Sequence, residues 1–273
     1  GRQVQVGGLV LDAERQQLGN IHESLFLLIP TGQPVATGGR LIMTTIAANL
    51  QSVRTRIATA CAAAGRPVTD VTLLAVSKTF GPEAVREAFL AGQRAFGENY
   101  IQEAVEKMPL VADLPLQWHC IGPIQSNKTR LVATHFDWAH TVDRLKIAQR
   151  LSEQRPPDRA PLQICLQVNV DGGATKSGVA PADTLALARD VATLPRLQLR
   201  GLMSIPEPAP DFASQKAVHD QTFRLWQSLR DAGLPLDTLS MGMSADLEAA
   251  VHAGSTLVRI GTAIFGGRSA KAG

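Results

Sequence analysis

Lys78 closes the run Val71-Thr-Leu-Leu-Ala-Val-Ser-Lys78, where an apolar segment gives way to polar residues. A lysine at the point where a chain leaves the core sheds part of its hydration and becomes a usable nucleophile toward aldehydes. Taken alone, the segment reads more readily as a surface lysine opening a loop. A second group lies far along the chain. Ser244 precedes a helical pattern over Ala245–Ala253, so its hydroxyl and the free amides of that first turn make a candidate anion site. Gly261 and Thr262 follow the apolar stretch Leu257–Ile260 and add close backbone approach and one hydroxyl donor. A capping serine and a glycine turn without a ligand is the plainer reading of each motif. Between these groups stands Arg259, which either faces a ligand or pairs with a neighbouring acid.

The elements that must bring these residues together alternate along the chain. Eight strand candidates are legible: Val71–Val76, Arg94–Phe96, Gln117–Ile121, Asp137–Val142, Leu162–Val170, Gln198–Ile205, Thr238–Met241 and Leu257–Ile260. Between them fall helix candidates at Pro82–Ala91, Ile101–Met108, Ser126–Ala133, Asp143–Glu153, Pro181–Leu194, Phe212–Ala232 and Ala245–Ala253. Pro82 and Pro181 sit at first-turn positions, and Gly92, Gly233 and Gly254 follow helix ends. Ile46, Leu50, Val53 and Ile57 define a further helix ahead of the first strand. Count and length predict an α/β fold, a single (β/α)8 TIM barrel with an N-terminal helix, with a doubly wound open sheet as the competitor. The folded unit spans residues 43–273. Residues 1–42 carry no sustained period and read as a poorly ordered extension, with Met43 as the natural start; the competing reading is a hairpin through Val4–Val6 and Leu9–Leu11.

Composition narrows the function. Net charge is +3 and aromatics are 4%, which argues against a nucleic-acid surface. Cys61, Cys120 and Cys165 are widely spaced and encode neither a disulfide framework nor a zinc site, consistent with a reducing, cytoplasmic setting. The apolar run Leu25–Ile29 is too short to span a membrane, so the protein is expected to be soluble.

In a barrel, working residues collect where strands end. A lysine after the first strand opposite an anion cup after the seventh and eighth suits an aldehyde-bearing phosphorylated cofactor, and pyridoxal 5′-phosphate fits, with a Schiff base at one end and the phosphate at the other. Arg259 would then approach the pyridine nitrogen. A guanidinium only donates, so that nitrogen would stay unprotonated and the ring would be a weak electron sink.

Val-Ser-Lys78, Phe96-Gly-Glu-Asn-Tyr100, Trp118-His-Cys-Ile-Gly-Pro-Ile-Gln-Ser-Asn-Lys128, Lys176-Ser-Gly178, Gly201-Leu-Met-Ser204, Ser240-Met-Gly-Met-Ser-Ala-Asp246 and Arg259-Ile-Gly-Thr-Ala-Ile-Phe-Gly266 occur in this order. From about Met43 to Arg268 the chain resembles the pyridoxal phosphate homeostasis protein family, related to the barrel domain of alanine racemase. The resemblance implies that Lys78 carries the cofactor as a Schiff base and Asn99 lies beside its ring. It implies that Arg259 faces the pyridine nitrogen, that Ser244, Gly261 and Thr262 hold the phosphate, and that Met203 and Met241 line the ring pocket. Lys176 matches a second lysine of the family, with no role assigned. The family is a lone barrel, thought to store or deliver pyridoxal phosphate and to influence vitamin B6 and amino-acid balance. Expected partners are therefore pyridoxal phosphate and apo pyridoxal phosphate-dependent enzymes, with the protein a monomer.

Racemisation on this scaffold needs two opposed bases, and alanine racemase takes the second from a separate β domain. The chain ends soon after the eighth strand, and its single tyrosine, Tyr100, begins a helix. A binding protein without turnover is therefore the expectation. Two other readings stay open: a weak amino-acid racemase using His119 or His140 as the missing base, and a cofactor-free Schiff-base aldolase.

Overall fold

The computed structural model describes residues 45–172 and 177–267. The expectations for residues 1–42 and for Lys176 lie outside the described residues. The four-three-four spacing from Ile46 to Ile57 forms helix α1 (Thr45–Ala63), which buries Leu50, Val53 and Ile57.

Each apolar run that follows is a strand: β1 (Thr72–Val76), β2 (Ala95–Glu98), β3 (Gln117–Cys120), β4 (Trp138–Val142), β5 (Leu162–Gln167), β6 (Leu197–Met203), β7 (Thr238–Ser240) and β8 (Leu257–Ile260). They pair in chain order and close into an eight-stranded barrel. The closing seam is parallel, with Leu74 opposite Arg259 and Ala75 opposite Ile260. That seam sets the open-sheet alternative aside.

Around the barrel run α2 (Pro82–Leu90), α3 (Ile101–Lys107), α4 (Thr129–His135), α5 (Leu145–Gln154), α6 (Thr184–Ala192), α7 (Phe212–Asp231), α8 (Leu247–His252) and α9 (Thr262–Phe265). Helix α1 packs against α2, α8 and α9, filling the outer-ring place that the short α9 leaves. Gly92, Gly233 and Gly254 take the left-handed conformation that their helix ends require, at φ +88°, +91° and +99°.

Several boundaries differ from the sequence expectation for local reasons. Strand β2 runs on through Gly97 and Glu98 because both pair with β3. Strand β5 stops at Gln167 because the chain doubles back: Val179 N donates to Gln167 O and Asn169 N donates to Val179 O. Ahead of α4, residues 126–128 form a turn in which the Thr129 hydroxyl donates to Ser126 O, so that helix starts three residues late.

Alternation along the strands sorts side chains between the barrel interior and the surrounding helices. Leu74, Val76, Ala95, Ile121 and Leu257 form one apolar cluster, and Trp138, Cys165 and Met203 another. The main core joins Ala75, Phe96, Leu166 and Val258 from the strands to Val85, Ala104, Leu151 and Val251 from the helices. Cys61, Cys120 and Cys165 are buried free thiols. Burial pushes the thiols of Cys120 and Cys165 up to about 12. Among the described residues no helix is long and apolar enough to cross a membrane.

Candidate functional site

A cavity of about 330 Å³ opens where the strands end, and Lys78, Asn99, Ser244, Arg259, Gly261 and Thr262 all line it. Six residues singled out from sequence, spread over nearly two hundred positions, thus face one space. Val76, Phe80 and Met243 add apolar wall.

The Lys78 side is built from β1, β2 and α3. Leu74 and Val76 point into the barrel, and the chain past the strand end carries Lys78 to the rim. Among the described residues none makes a hydrogen bond or ion pair with its ammonium. The residue before it is tightly held instead. The Ser77 hydroxyl donates to Glu98 Oε1 at 2.7 Å, and the Lys107 ammonium donates to Ser77 O at 3.0 Å and to Glu98 Oε1 at 2.8 Å. Glu98 and Lys107 are a buried ion pair, with side chains 0% and 5% exposed. Burial pushes the Glu98 carboxyl above its ordinary range, and the Lys107 charge opposes that rise.

Asn99 follows Glu98 out of the strand, with its side-chain oxygen buried and unpartnered at the cavity. A Cβ at Gly122 would stand 1.9 Å from the Asn99 carbonyl oxygen, so only glycine lets the two loops meet.

The opposite side is built from β7, β8 and the turns beyond them. Arg259 is fully enclosed and makes no ion pair with a described carboxylate, which corrects the structural-pair alternative. Its guanidinium donates to Ser240 O at 2.7 Å, to Ser240 Oγ at 2.8 Å and to Ser204 O at 2.9 Å. Burial pushes its pKa down to about 10, which leaves it charged at neutral pH.

Beyond Ser240 the contacts continue down the barrel. Ser240 Oγ lies 2.9 Å from His140 Nδ1, His140 Nε2 lies 2.9 Å from His119 Nδ1, and His119 Nε2 lies 3.1 Å from Gln117 Oε1. Because arginine only donates, the serine oxygen accepts from it and sends its own proton to His140 Nδ1. His140 then donates through Nε2 to His119, which donates through Nε2 to Gln117. This polarity needs both imidazoles neutral. Burial agrees, pushing His119 down to about 3 and His140 well below the ordinary histidine value. Neither histidine lines the cavity, so neither stands where a substrate base is needed.

Three expectations are corrected. Met203 and Met241 do not line the cavity: both are fully buried, Met203 with Trp138 and Cys165 inside the barrel and Met241 in the main core. Ser240 turns inward to Arg259, so strand alternation sends Met241 outward; Met243 reaches the cavity instead. Ser244 does not cap a helix. Residues 244–246 are a turn and α8 begins at Leu247, with Asp246 Oδ1 accepting from Met243 N at 2.7 Å. Asp246 is also fixed by His219 Nε2 at 2.9 Å, and the Ser244 carbonyl accepts from Arg56 of α1 at 3.0 Å. The cup is a braced turn facing Gly261 and Thr262.

The sequence reading does not reach Lys107, although a signal exists. Lys107 shares the inward face of α3 with Ile101, Ala104 and Met108, where a charge needs a partner.

Residues 48–269 match the family described as the alanine racemase N-terminal domain. A pyridoxal phosphate homeostasis protein of Pseudomonas aeruginosa is 62% identical over 226 residues, covering 83% of this chain and 97% of that one. The protein of that name from Vibrio cholerae is 55% identical over 230 residues, covering 83% and 98%. The structure of PipY from Synechococcus elongatus with PLP bound is 39% identical with a TM-score of 0.72, covering 81% of this chain and all of that one. Strand count, closing seam, site lining and these similarities converge: the chain belongs to the pyridoxal phosphate homeostasis protein family, on the alanine racemase N-terminal barrel.

Proposed function

We propose that this protein binds pyridoxal 5′-phosphate and acts in cytoplasmic pyridoxal phosphate homeostasis and amino-acid balance, as a monomeric carrier that supplies apo-enzymes rather than as an enzyme. The observation that carries this reading is the single cavity shared by Lys78, Arg259, Ser244, Gly261 and Thr262. The residues present suit the group: an amine for its aldehyde, a charged donor for the ring nitrogen, hydroxyls and close backbone for the phosphate, and the unpartnered Asn99 oxygen at the ring. The PLP bound in PipY supports the choice of cofactor.

Lys78 supplies the tether. Its amine would face the cofactor's aldehyde, the group with which a primary amine condenses with loss of water and no redox change. When bound, the cofactor would supply an electron sink, which Arg259 weakens by leaving the ring nitrogen without a proton. Turnover would also need an opposing base at the cavity. His119 and His140 are committed to their own hydrogen bonds, and Tyr100 does not line the space.

Borohydride reduction of the loaded protein followed by peptide mass spectrometry tests the tether. A pyridoxyl group on the Lys78 peptide, lost in Lys78→Ala, is expected; a label on another lysine, or none, overturns it. Incubation with both enantiomers of small amino acids in deuterium oxide tests the rest. No α-carbon exchange above that of free pyridoxal phosphate is expected, and exchange at enzymatic rates would restore the racemase alternative.

A further inference from the structure

We propose that Glu98, Lys107 and Glu103 form a clamp on the backbone either side of Lys78, with Lys107 as a positioning residue for the tethering amine. This rests on the proposed role of Lys78 and adds the means by which that amine is aimed.

The residues flanking Lys78 are both bound by side chains from the next βα unit. Before it, Ser77 gives its carbonyl oxygen to Lys107 at 3.0 Å and its hydroxyl proton to Glu98 at 2.7 Å. After it, Thr79 N donates to Glu103 Oε1 at 2.8 Å, and that same oxygen lies 3.8 Å from the Lys107 ammonium. Lys107 is therefore the hub between the two anchors. The Lys78 side chain itself contacts none of them. Backbone fixed on both sides and an unengaged amine is the arrangement expected of a group that must reach a defined point.

Two further observations separate the clamp from ordinary structural pairing. Thr79 sits at φ 68°, a conformation a β-branched residue adopts only when its surroundings hold it there. The Glu103 contact to its amide is such a hold. Second, Glu98 Oε2 is buried with no partner. Replacing a buried ion pair by apolar residues of the same volume is often neutral, so stability alone does not account for a pair set against Ser77. The cluster is arranged around Ser77 and Thr79 rather than around its own completion.

The test is the rate at which apo protein captures added pyridoxal 5′-phosphate, read by absorbance and by borohydride labelling of Lys78. The double variant Glu98→Met with Lys107→Met removes the hub and the Ser77 arm of the clamp without stranding a buried charge. It is expected to unfold near the wild-type midpoint yet capture the cofactor roughly tenfold to a hundredfold more slowly, the scale of a small misplacement of a reacting group. Glu103→Leu, at the partly exposed edge of the cluster, removes the acceptor for Thr79 N and is expected to slow capture several-fold, and Lys107→Arg to recover part of the rate. Capture at the wild-type rate in a folded double variant overturns the clamp. Should the double variant not fold, Glu103→Leu decides: a wild-type rate there overturns the proposal and a slowed one sustains it. Failure of the underlying reading looks different, because wild-type protein would then carry no label on Lys78.

Discussion

Behind Lys78 the barrel end carries a buried ion pair, Glu98 with Lys107, whereas behind Arg259 it carries a file of neutral hydrogen bonds through Ser240, His140 and His119. Both regions bury a cation, and they neutralise it differently. Lys107 has a carboxylate 2.8 Å away, so its charge is spent locally. Among the described residues Arg259 has two carbonyls and a hydroxyl in hydrogen-bond contact, so its charge still faces the cavity. The first region therefore holds backbone in place, and the second leaves a positive charge at the cavity.

The largest way to break this contrast is to cut the ion pair on one side. Lys107→Met leaves the Glu98 carboxylate buried and alone, which is expected to cost about 3–5 kcal/mol in urea unfolding. Adding Glu98→Met should return most of it; a double variant as weak as the single one would show that the pair carries stability after all. On the neutral side the same cut is smaller. Ser240→Ala removes one acceptor of Arg259 and the donor to His140, for a loss of about 1–3 kcal/mol in the same assay. An unchanged midpoint would dissolve the proposed polarity of the file.

The histidines sharpen the contrast through pH. Each has a folded pKa depressed below its unfolded value, so unfolding takes up protons when the pH is below about 6.5. Stability must then fall as pH falls from there toward about 3, the folded value of His119. The slope contributed is about 1.4 kcal/mol per pH unit for each histidine. His119→Gln should remove one such contribution, seen as a flatter dependence of the unfolding midpoint between about pH 6 and 4; an equal slope would place the titration elsewhere. Smallest of all is Arg56→Gln. Arg56 ties α1 to the Ser244 carbonyl and to Glu248, but both ion-pair partners are more than a third exposed, at 35% and 43%. Its loss should cost no more than about 1 kcal/mol, and a larger fall in melting temperature than in pyridoxal phosphate retention would assign it to the fold alone.

Much of the architecture was legible beforehand. The run ending at Val76 and the stretch Leu257–Ile260 were both readable as buried strands, because parallel strands covered on two faces are apolar throughout. Lys78, Gly261 and Thr262 were readable as rim residues because the apolar runs end beside them, and Arg259 was readable as a charge within the last of those runs. Ser244 was legible as a cup residue but not its setting, since the turn at 244–246 depends on Asp246 reaching back to Met243 N. Met203 and Met241 went astray because their facing is set by strand parity relative to residues on other strands. Lys107 was visible as a charge on an apolar face, but nothing local names Glu98 as its partner.

By itself the sequence determined the number and order of the strands and the helices between them, though not the short α9, and placed most of their ends to within a few residues. Those are consequences of short-range patterning, in which period and punctuation lie within a few neighbours. The tertiary structure alone decided what those ends face. Lys78 meets Ser244 and Gly261 only because β8 pairs back with β1, and Gln117 connects to Arg259 only through side chains of β3, β4 and β7 packed inside one barrel. Contacts between residues so far apart are fixed by closure and packing, and no local pattern records them.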